Sequence, residues 1–571
     1  MSYKTGTDRS QINLFPISVD ESISEDNAVR VIDAFVEWLD LSDLGFKHTK
    51  LKVKGASVYP PQALLKLYLY GYLNRIRSSR RLEIECVRNI ELLWLLKRLT
   101  PQYHTIADFR KDNADALKDV FKEFTRFCVA VSLVEGESIV FDGTKIRAQN
   151  NQKNNFNAGR LEKLLTRIDA KTQQYEQYLK ELDEQDAQET SSSTPVLAGG
   201  KTKEQVSATL TLLKERRIEY QAHRNKLQKA AEDGGKTEDL QISTVDPDAR
   251  CLPFKQGHVD IGYNVQTAAD AKHGIIVHFE VTNVGDNNAL SSLTLQTKEA
   301  LGLKEHETFN ALADGGYHTA SELSKCAEQG VFTYVCTPDA VKEKEKTDKS
   351  TPTFGKNDFV YNENSDSYTC PNQQELTSNG TWYEHKVTKT RKKATKYKQY
   401  TLPSLTCQAC PFAAQCQGNR KKQWHGKTIE RLEYDDAVHA NRKRMSEKPE
   451  TYQKRKEVIE HPFGTVKRSW GCYYTLVKTK KKVGGEFAII YLCYNLRRVI
   501  SILGVKGFIQ ALTSGISVLS SFFKHLRNIF FQTTQILLQI SPSRTKFKTV
   551  FKPQLIPFFL PLFQKFTFCT N

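Results

Sequence analysis

Acidic residues at the ends of short apolar runs are the feature that most constrains this chain. Residues 138–142 have the pattern of a β-strand that ends on Asp142, and residues 309–313 have the pattern of a strand that leads into Asp314. A third acid, Glu460, lies in a later segment with helical spacing. A single aspartate after a strand is more often a turn former. The constraint therefore comes from the order in which strands, helices and the three acids follow one another.

Between the first two acids, the sequence predicts the remaining strands of a mixed α/β sheet. Residues 263–268 and 275–281 are β-type runs on either side of a turn, so they predict a hairpin, and residues 290–301 predict a helix. The order is a strand with an acid, a hairpin, a helix and a second strand with an acid. That is the order of an RNase H-like fold, in which a late helix brings in the third acid.

Three acids in this arrangement suit metal-dependent phosphoryl transfer. Two Mg²⁺ or Mn²⁺ ions about 4 Å apart need several carboxylate oxygens, and they keep water ligands that a substrate can replace. One ion activates water or a 3′-hydroxyl, and the other stabilises the leaving oxygen. The carboxylate that both ions share has to come from the centre of a strand, and Asp142 is the candidate.

The regions around this core divide the chain into further parts. Residues 1–130 predict an N-terminal all-helical domain, for which DNA binding is the expected role, and residues 131–505 hold the predicted catalytic domain. Two heptad arms joined by a Ser/Pro/Gly-rich stretch predict an antiparallel helical hairpin inserted at 157–235. A second insertion at 340–430 is Lys-rich, irregular in pattern and carries a cysteine cluster. Residues 506–571 form a C-terminal tail to which the sequence assigns no role.

Four cysteines in the second insertion have the spacing of a metal site. Cys407 and Cys410 form a C-x2-C pair, Cys416 follows them, and Cys370 lies upstream. Four thiolates can close a tetrahedral Zn²⁺ site, which would fold a small Cys-rich zinc knuckle with little core of its own. Ordinary reduced thiols and an iron–sulfur cluster are the alternatives, and His425 can replace Cys370 as the fourth ligand.

Basic charge predicts a polyanionic partner. The 571 residues include 83 Lys+Arg against 65 Asp+Glu, a net charge of +18, and such an excess favours nucleic acid or an acidic membrane surface. Five basic runs interleaved with aromatic residues lie within 391–482, which favours DNA because phosphates attract cations and unpaired bases stack on aromatic rings. No secretory signal and no clean run of about 20 apolar residues occur. The sequence therefore predicts a cytoplasmic protein without a membrane span, associated with the nucleoid when it is bound to DNA.

Eight short motifs spread over residues 1–505 resemble those of the DDE transposases of bacterial insertion sequences. Each motif is weak alone, and together they are specific. They are residues 59–64, 103–110, 141–144, 246–250, 262–266, 313–317, 460–464 and 485–488. The resemblance implies that Asp142, Asp314 and Glu460 are the catalytic residues and the ligands of Mg²⁺.

Around the glutamate, the chain is similar to a Tyr, Arg, Glu, Lys signature that many of these transposases carry. Tyr452, Arg455, Glu460 and Lys467 occupy the corresponding positions, and four residues separate Arg455 from Glu460 where the usual pattern has three. The resemblance implies that Tyr452, Arg455, Lys467 and Arg468 contact the DNA at the transposon ends. A solvated helix face is the alternative for Lys467 and Arg468.

These patterns together predict a transposase with two Mg²⁺ (or Mn²⁺) ions and a structural Zn²⁺. It would bind the terminal inverted repeats of its own transposable element, cleave there and join the 3′-ends to target DNA. The expected partner is double-stranded DNA, with a homodimer in the DNA complex and no membrane. One alternative is a related DDE-type nuclease that cuts without integrating. The other is a domesticated DNA-binding protein that has lost catalysis.

Overall fold

The computed structural model describes residues 18–50, 57–188, 202–234, 240–254, 257–337, 354–386, 394–417 and 426–540. The chain divides into two compact units, Met1–Ile509 and Gln510–Asn571. The first unit contains a helical N-terminal region, β-sheets and the helices that cover them, so the protein is mixed α/β. His425 and the basic runs at 391–393 and 420–422 lie outside the described residues.

Helices joined by short turns build the N-terminal region. The pattern predicts one helix over 84–99, but the structure divides this segment at Asn89. The extended backbone of Asn89 ends one helix, and its side chain accepts a hydrogen bond from Glu91 N (3.0 Å) to cap the next one. The helices are α1 (Ala28–Trp38), α2 (Pro61–Leu73), α3 (Ser79–Arg88), α4 (Ile90–Leu95), α5 (Tyr103–Asp112) and α6 (Ala114–Ala130).

A six-stranded sheet follows these helices in the chain. Its strands are β1 (Ser138–Arg147), β4 (Arg250–Pro253), β5 (Val259–Asp270), β6 (Ile276–Thr282), β7 (Phe309–Ala313) and β8 (Val331–Val335). They are arranged in the order β4-β5-β1-β7-β8, and β6 pairs with β5. β1 is antiparallel to β5 and parallel to β7, and β7 is parallel to β8. Helices α9 (Leu290–Leu301) and α10 (Ala320–Glu328) connect the later strands.

The register of this sheet places Asp142 next to Asp314. In the parallel pair of β1 and β7, Phe141 lies opposite Ala313, the last residue of β7, so the next residue of each strand is an acid. On the other side of β1, Asp142 lies opposite Thr267 of β5. Because β7 ends here while β1 continues, one edge of β1 is left open beside Asp142.

A long helical pair interrupts the sheet between β1 and β4. Strands β2 (Asn155–Phe156) and β3 (Ile242–Ser243) pair at its base, and α7 (Ala158–Gln188) and α8 (Lys203–Glu232) form its arms. The arms are antiparallel, since Arg217 bonds to Asp169 (2.6 Å) near the middle of the pair, while the start of α8 reaches the end of α7. Few side chains are buried along the arms, which explains the polar core positions of the heptads.

A five-stranded antiparallel sheet occupies the region whose sequence pattern is irregular. Its strands are β9 (Val360–Asn362), β10 (Ser367–Thr369), β11 (Glu375–His385), β12 (Thr395–Thr401) and β13 (Thr428–Leu432), in the order β13-β12-β11-β10-β9. Its buried core consists of Phe359, Tyr368, Leu376, Tyr400 and Ile429. The one-turn helices α11 (Ser404–Gln408) and α12 (Ala413–Gln417) lie between β12 and β13. The expectation of an irregular segment was wrong because strands such as β12 alternate lysines with aromatics and carry little apolar signal.

Two late helices cover the face of the six-stranded sheet that carries Asp142. Helices α13 (Asp435–Glu447) and α14 (Pro449–Phe463) follow the small sheet, and a π-helical turn, Gly464–Ser469, follows α14. Ile459 of α14 packs in a buried cluster with Val140, Ala269, Leu312 and Tyr334. Val140 and Asp142 point to the same face because side chains alternate along a strand. The position of α14 over the acids is therefore set by this core.

The last helix, α15 (Lys480–Ile540), packs on the same face through Tyr491. The hydroxyl groups of Tyr491 and Thr267 are 2.9 Å apart. The helix is interrupted at Gly504, whose backbone is non-helical (φ 69°, ψ 172°). Among the described residues, Lys480–Ser514 is long and apolar enough to cross a membrane, but 61% of its apolar window is buried inside the protein. Such burial is typical of a core helix.

A buried ionic network joins the N-terminal helices to α15. Glu486 of α15 is fully buried and accepts from Arg77 (3.0 Å), and Arg110 lies 3.9 Å away. Its second oxygen accepts from Leu476 N (2.9 Å). Arg77 also donates to the carbonyl of Tyr474 (2.7 Å). Removing one partner of a buried ion pair leaves an uncompensated charge and costs about 3–5 kcal/mol, so this network ties the two regions firmly together.

Candidate functional site

The two predicted acids lie side by side in the sheet. Asp314 follows the end of β7 as predicted, but the prediction that a strand ends on Asp142 was wrong, because β1 continues to Arg147 and Asp142 lies in its middle. Asp142 Oδ1 accepts from Gly143 N (2.8 Å), and its Oδ2 is 3.5 Å from Arg455 Nη1. Asp314 Oδ1 accepts from Gly316 N (2.9 Å), which caps a single 3-10 turn after β7. In both acids, one carboxylate oxygen therefore accepts a hydrogen bond from the backbone that follows. The other oxygen of Asp142 lies near the Arg455 guanidinium.

The electrostatic environment of Asp142 is that of an acid under repulsion. Burial first, then the charge of Asp314 and to a smaller extent that of Asp286, together raise the pKa of Asp142 to about 6. The Arg455 guanidinium and the Gly143 amide act in the opposite direction and lower this pKa. Burial and the neighbouring carboxylate of Asp314 thus both disfavour the charged form of Asp142, and a bound divalent cation would relieve this.

Asp286 is a site residue that sequence reasoning missed. It lies in the loop after β6, and its carboxylate accepts from the side-chain amides of Asn264 and Gln266, each at 2.8 Å. Lys145 of β1 lies 3.4 Å from its other oxygen. The available signal was an acid shortly after the end of a strand, which is the same signal that marks Asp314. No pattern in the sequence indicates that this loop crosses towards β1.

Arg455 and Tyr452 lie on the face of α14 that covers the acids. Arg455 is largely buried, with 13% of its side chain exposed, and its guanidinium carbon lies 5.7 Å from the centre of the Tyr452 ring. Tyr452 itself packs against the cluster around Val140. The nearest anion to Arg455 is Asp142, so in this structure Arg455 faces the acids.

Glu460 lies on a different side of the same helix. Arg455 and Ile459 are four residues apart and share the face towards the sheet, whereas Glu460 is a further 100° around the helix and is exposed. Over the described ranges, no three His, Cys, Asp or Glu side chains are gathered closely enough to hold a metal ion. The structure therefore brings Asp142 and Asp314 together and leaves Glu460 apart from them.

Lys467 and Arg468 lie in the π-helical turn that extends α14 beyond Pro462. Lys467 Nζ donates to the carbonyl of Lys145 (2.9 Å), three residues after Asp142 on β1, and Arg468 is exposed. A π-helical turn adds a residue to the helical path and often occurs at functional sites. The turn thus directs one lysine to the end of β1 and the adjacent arginine to solvent.

The basic runs around α14 contain both structural and exposed side chains. Arg444 is half-buried and donates to the carbonyl of Thr333 (3.0 Å), so it holds α13 against β8. Lys443, Lys454 and Lys456 are exposed. The exposed lysines of these runs are placed to attract the phosphates of a nucleic acid.

The four predicted zinc ligands line one cavity at the end of the five-stranded sheet, together with Lys427. Cys370 follows β10, Cys407 lies in α11, Cys410 follows α11, and Cys416 lies in α12. Backbone amides donate to two of the sulfurs, at 3.3 Å to Cys370 and 3.4 Å to Cys407. All four thiols are free.

The thiols share this cavity without forming a closed ligand set. Burial raises the pKa of the Cys416 thiol, Lys427 lowers it, and the other three thiols raise it by their proximity. The ligand distances expected around a bound ion are not reached within the described part of the chain. His425, the alternative ligand, lies outside that part.

Two family models match the chain. Residues 17–112 match a transposase domain (DUF772), and residues 369–500 match a transposase DDE domain. The first match covers α1 to α5. The second covers most of the small sheet, the four cysteines, α14 and the start of α15. Asp142 and Asp314 lie between the two matches, and Glu460 lies within the second. No curated protein matches the chain.

Proposed function

We propose that this chain, which belongs to the DDE transposases of insertion sequences, binds the terminal inverted repeats of its own element and catalyses metal-dependent DNA cleavage and strand transfer. The observation that carries the proposal is the adjacent pair Asp142 and Asp314 beneath α14. The order of the sheet, with β1 between β5 and β7, supports an RNase H-like catalytic domain. The acids lie where a single strand edge is open to a substrate.

Divalent ions fit the chemistry of this site. Asp142 and Asp314 offer carboxylate oxygens, which are the ligands that Mg²⁺ and Mn²⁺ prefer, and we propose Glu460 as the third catalytic acid. Two such ions, when bound, supply a nucleophile and neutralise charge on the scissile phosphate. The repulsion between Asp142 and Asp314, which a cation would relieve, supports their binding.

The basic side chains near the acids would position the DNA. We propose that Arg455, between Tyr452 and Asp142, orients that carboxylate and contacts the backbone of the transposon end. Lys467 and Arg468 would contact phosphates further along the same strand, since the π-helical turn directs them beside β1 and into solvent. These contacts give affinity that falls as salt rises.

The wider assembly follows from the reaction. Joining requires two transposon ends, so a homodimer on double-stranded DNA is the expected complex, in the cytoplasm and associated with the nucleoid when bound. The helical N-terminal region, which we place at 1–130, is the proposed reader of the inverted repeats. The catalytic domain would span 131–505, with inserts at 157–235 and 340–430, and the role of 506–571 is open.

A labelled transposon end tests the catalytic proposal. Asp142→Asn, Asp314→Asn and Glu460→Gln are each expected to lower cleavage in Mg²⁺ at least about a hundredfold while end binding by gel shift is retained. Asp119→Asn, an exposed acid on α6, is the matched control and should cleave normally. Full activity in the three site variants would falsify the assignment.

Two other functions make different predictions in the same assay. A DDE-type nuclease would cut the end but would not join a precut 3′-end to target DNA. A domesticated binding protein would bind the end without cutting it in any divalent metal. The adjacent acids favour the enzyme over the binding protein, because a protein that only binds DNA needs no repelling pair of half-buried carboxylates.

We also propose a structural Zn²⁺ bound by Cys370, Cys407, Cys410 and Cys416. Their position around one cavity and the amide donors to two sulfurs support it. Metal analysis should find one zinc per chain, and Cys407→Ser with Cys410→Ser should remove it. An absorbing iron chromophore would favour the iron–sulfur alternative, and the absence of any bound metal would leave four ordinary reduced thiols.

A further inference from the structure

Helix α3 has an apolar strip on its exposed side. Leu82 and Cys86 point into the protein and are fully buried. On the opposite side, Ile84 is 54% exposed and Val87 is 66% exposed. These two side chains are three residues apart, so they are neighbours on one side of the helix. Exposed apolar side chains that are bordered by polar ones are typical of an interaction site.

The same side of α3 is strongly basic. The five exposed side chains of the helix are the two aliphatic ones and three arginines, Arg80, Arg81 and Arg88. At about 100° per residue, all five fall within about one third of the helix circumference. The buried Glu85 accepts from Arg88 and lies 3.9 Å from Arg81. One carboxylate is thus shared by two guanidinium groups, and this side of the helix keeps an excess of positive charge.

The orientation of α3 is fixed by its buried side and by the turn that precedes it. Gly71 of α2 permits a close approach of the two helices, because a Cβ atom there would lie 2.7 Å from Leu82 Cδ2. In the turn between α2 and α3, the Arg77 side chain is 9% exposed and donates to Glu486 of α15 (3.0 Å). The exposed side of α3 is therefore held in place by contacts that leave it uncovered.

We propose that α3 enters the major groove of the terminal inverted repeat and reads its sequence. The inference rests on the proposed function, since it names the part of the N-terminal region that recognises the repeat. Arg80 and Arg81, in the first turn, contact base edges. Ile84 and Val87 contact the methyl group that only thymine carries. A helix pair joined by a short turn, with the second helix in the major groove, is a common DNA-binding arrangement, and residues 74–78 join α2 to α3 in this way.

Charge favours DNA over a second copy of the chain as the occupant of this surface. In a symmetrical dimer, the same surface of each copy meets the other. The arginines of one α3 would then face those of its partner, and like charges repel. The phosphates that border the major groove are anions, so they attract the same arginines.

A labelled duplex of the terminal inverted repeat tests the role of the arginines, with a scrambled duplex of the same composition as reference and no divalent metal present. The double variant Arg80→Ala, Arg81→Ala is expected to lower the preference for the repeat at least about tenfold. Arg126→Ala, an exposed arginine on α6, is the matched control and should keep the preference. An equal loss of affinity for both duplexes would assign the two arginines to phosphates and overturn their role as readers.

Thymine methyl groups test the apolar strip. Exchanging thymine for uracil at one position at a time removes a methyl group and keeps the base pairing. The wild type should lose about threefold or more in affinity at one or more positions of the repeat. The double variant Ile84→Ala, Val87→Ala should be insensitive at those positions, because the contacting side chains are gone. Ile218→Ala, 72% exposed on α8, is the control. Equal sensitivity in the wild type and the double variant would contradict the proposal.

The outcomes separate this inference from the proposed function. A wild-type protein that neither prefers the repeat nor cuts it would contradict the proposed function. A wild type with a clear preference, together with α3 variants that keep it, would contradict only the role of α3. If Ile84→Ala, Val87→Ala keeps the preference but changes the DNA-free protein from dimer to monomer in sedimentation, the strip is an interface between copies and the inference is wrong. All substituted side chains are exposed, so the variants should melt at the wild-type temperature.

Discussion

The six-stranded and the five-stranded sheets both carry clustered residues of the types that bind metals, but they position them by different means. In the six-stranded sheet, the acids extend from strands whose register is locked by a buried cluster under α14. In the five-stranded sheet, the cysteines lie in turns and one-turn helices at the end of a small aromatic core. We therefore expect the acid pair to be formed by folding alone. The thiol cluster should depend on its ligand for its final geometry.

The largest effect should come from removing zinc from the small sheet. A structural zinc contributes about 10 kcal/mol or more to a domain with little core, so the Cys407→Ser and Cys410→Ser variant should lose protection of residues 354–432 in limited proteolysis. The six-stranded sheet should remain resistant, as read by mass spectrometry of the fragments. Cys251→Ser on β4 is the control. An unchanged pattern of proteolytic fragments would mean that the five core residues are sufficient to fold the small sheet without zinc.

Truncation of Ile459 should affect the other sheet in the opposite way. Ile459→Ala leaves a cavity under α14 and should lower the free energy of unfolding by about 2–5 kcal/mol. DNA cleavage should fall with it, because α14 holds Arg455 over Asp142, while zinc content stays the same. Urea denaturation gives the measurement, and Ile502→Ala, at a position 36% exposed, is the control. If both variants lose the same free energy of unfolding, the core around Ile459 has no special role.

The metal affinity of the acid pair should depend on pH. The pKa of Asp142 is raised to about 6, so protons compete with metal at this acid below that value. Mn²⁺ affinity should be constant above about pH 6 and should fall about tenfold for each pH unit below it, as far as one proton is involved. Electron paramagnetic resonance between pH 5 and 8 measures it. A flat profile down to pH 5 would show that Asp142 does not titrate in this range.

The smallest predicted effect concerns Arg455. This guanidinium lowers the pKa of Asp142, so Arg455→Met should raise it and move the midpoint of the Mn²⁺ pH profile upwards by about 1 unit or less. Arg468→Met, at the exposed end of the π-helical turn, should leave the midpoint where it is. Equal shifts in both variants would mean that general charge around the site, and not the contact at 3.5 Å, sets the pKa.

Sequence reasoning was effective where a residue's position follows from its own strand. The apolar runs before Asp142 and Asp314 lie in neighbouring parallel strands, although β1 continues beyond Asp142 to Arg147, and the runs after Asp142 form β5 and β6. It was ineffective where position depends on a crossing between distant segments. Asp286 reaches Gly143 only through a loop that passes over β5, and no local pattern encodes that path.

The small sheet and the glutamate show two further limits. The five core residues of the small sheet come from four strands and the turn before β9, and lysines alternate with other residues along β12, so neither periodicity nor hydropathy indicates a sheet. Glu460 was predicted from the spacing of its neighbours. Spacing places it on α14, but the side of the helix that faces the acids depends on packing at Ile459.

The buried bonds between Glu486, Arg77 and Arg110 have a consequence for the geometry of the reaction. They join α2, the turn before α3, and α5 to α15 as parts of one body. If the N-terminal helices bind the inverted repeat, they do so at a fixed distance from the acids. The number of base pairs between the recognised sequence and the cut would then be a dimension of the protein. Replacing the N-terminal helices with those of another element would break the bonds of Arg77 and Arg110 to Glu486. A chimera would therefore need matching charges on both sides of this contact.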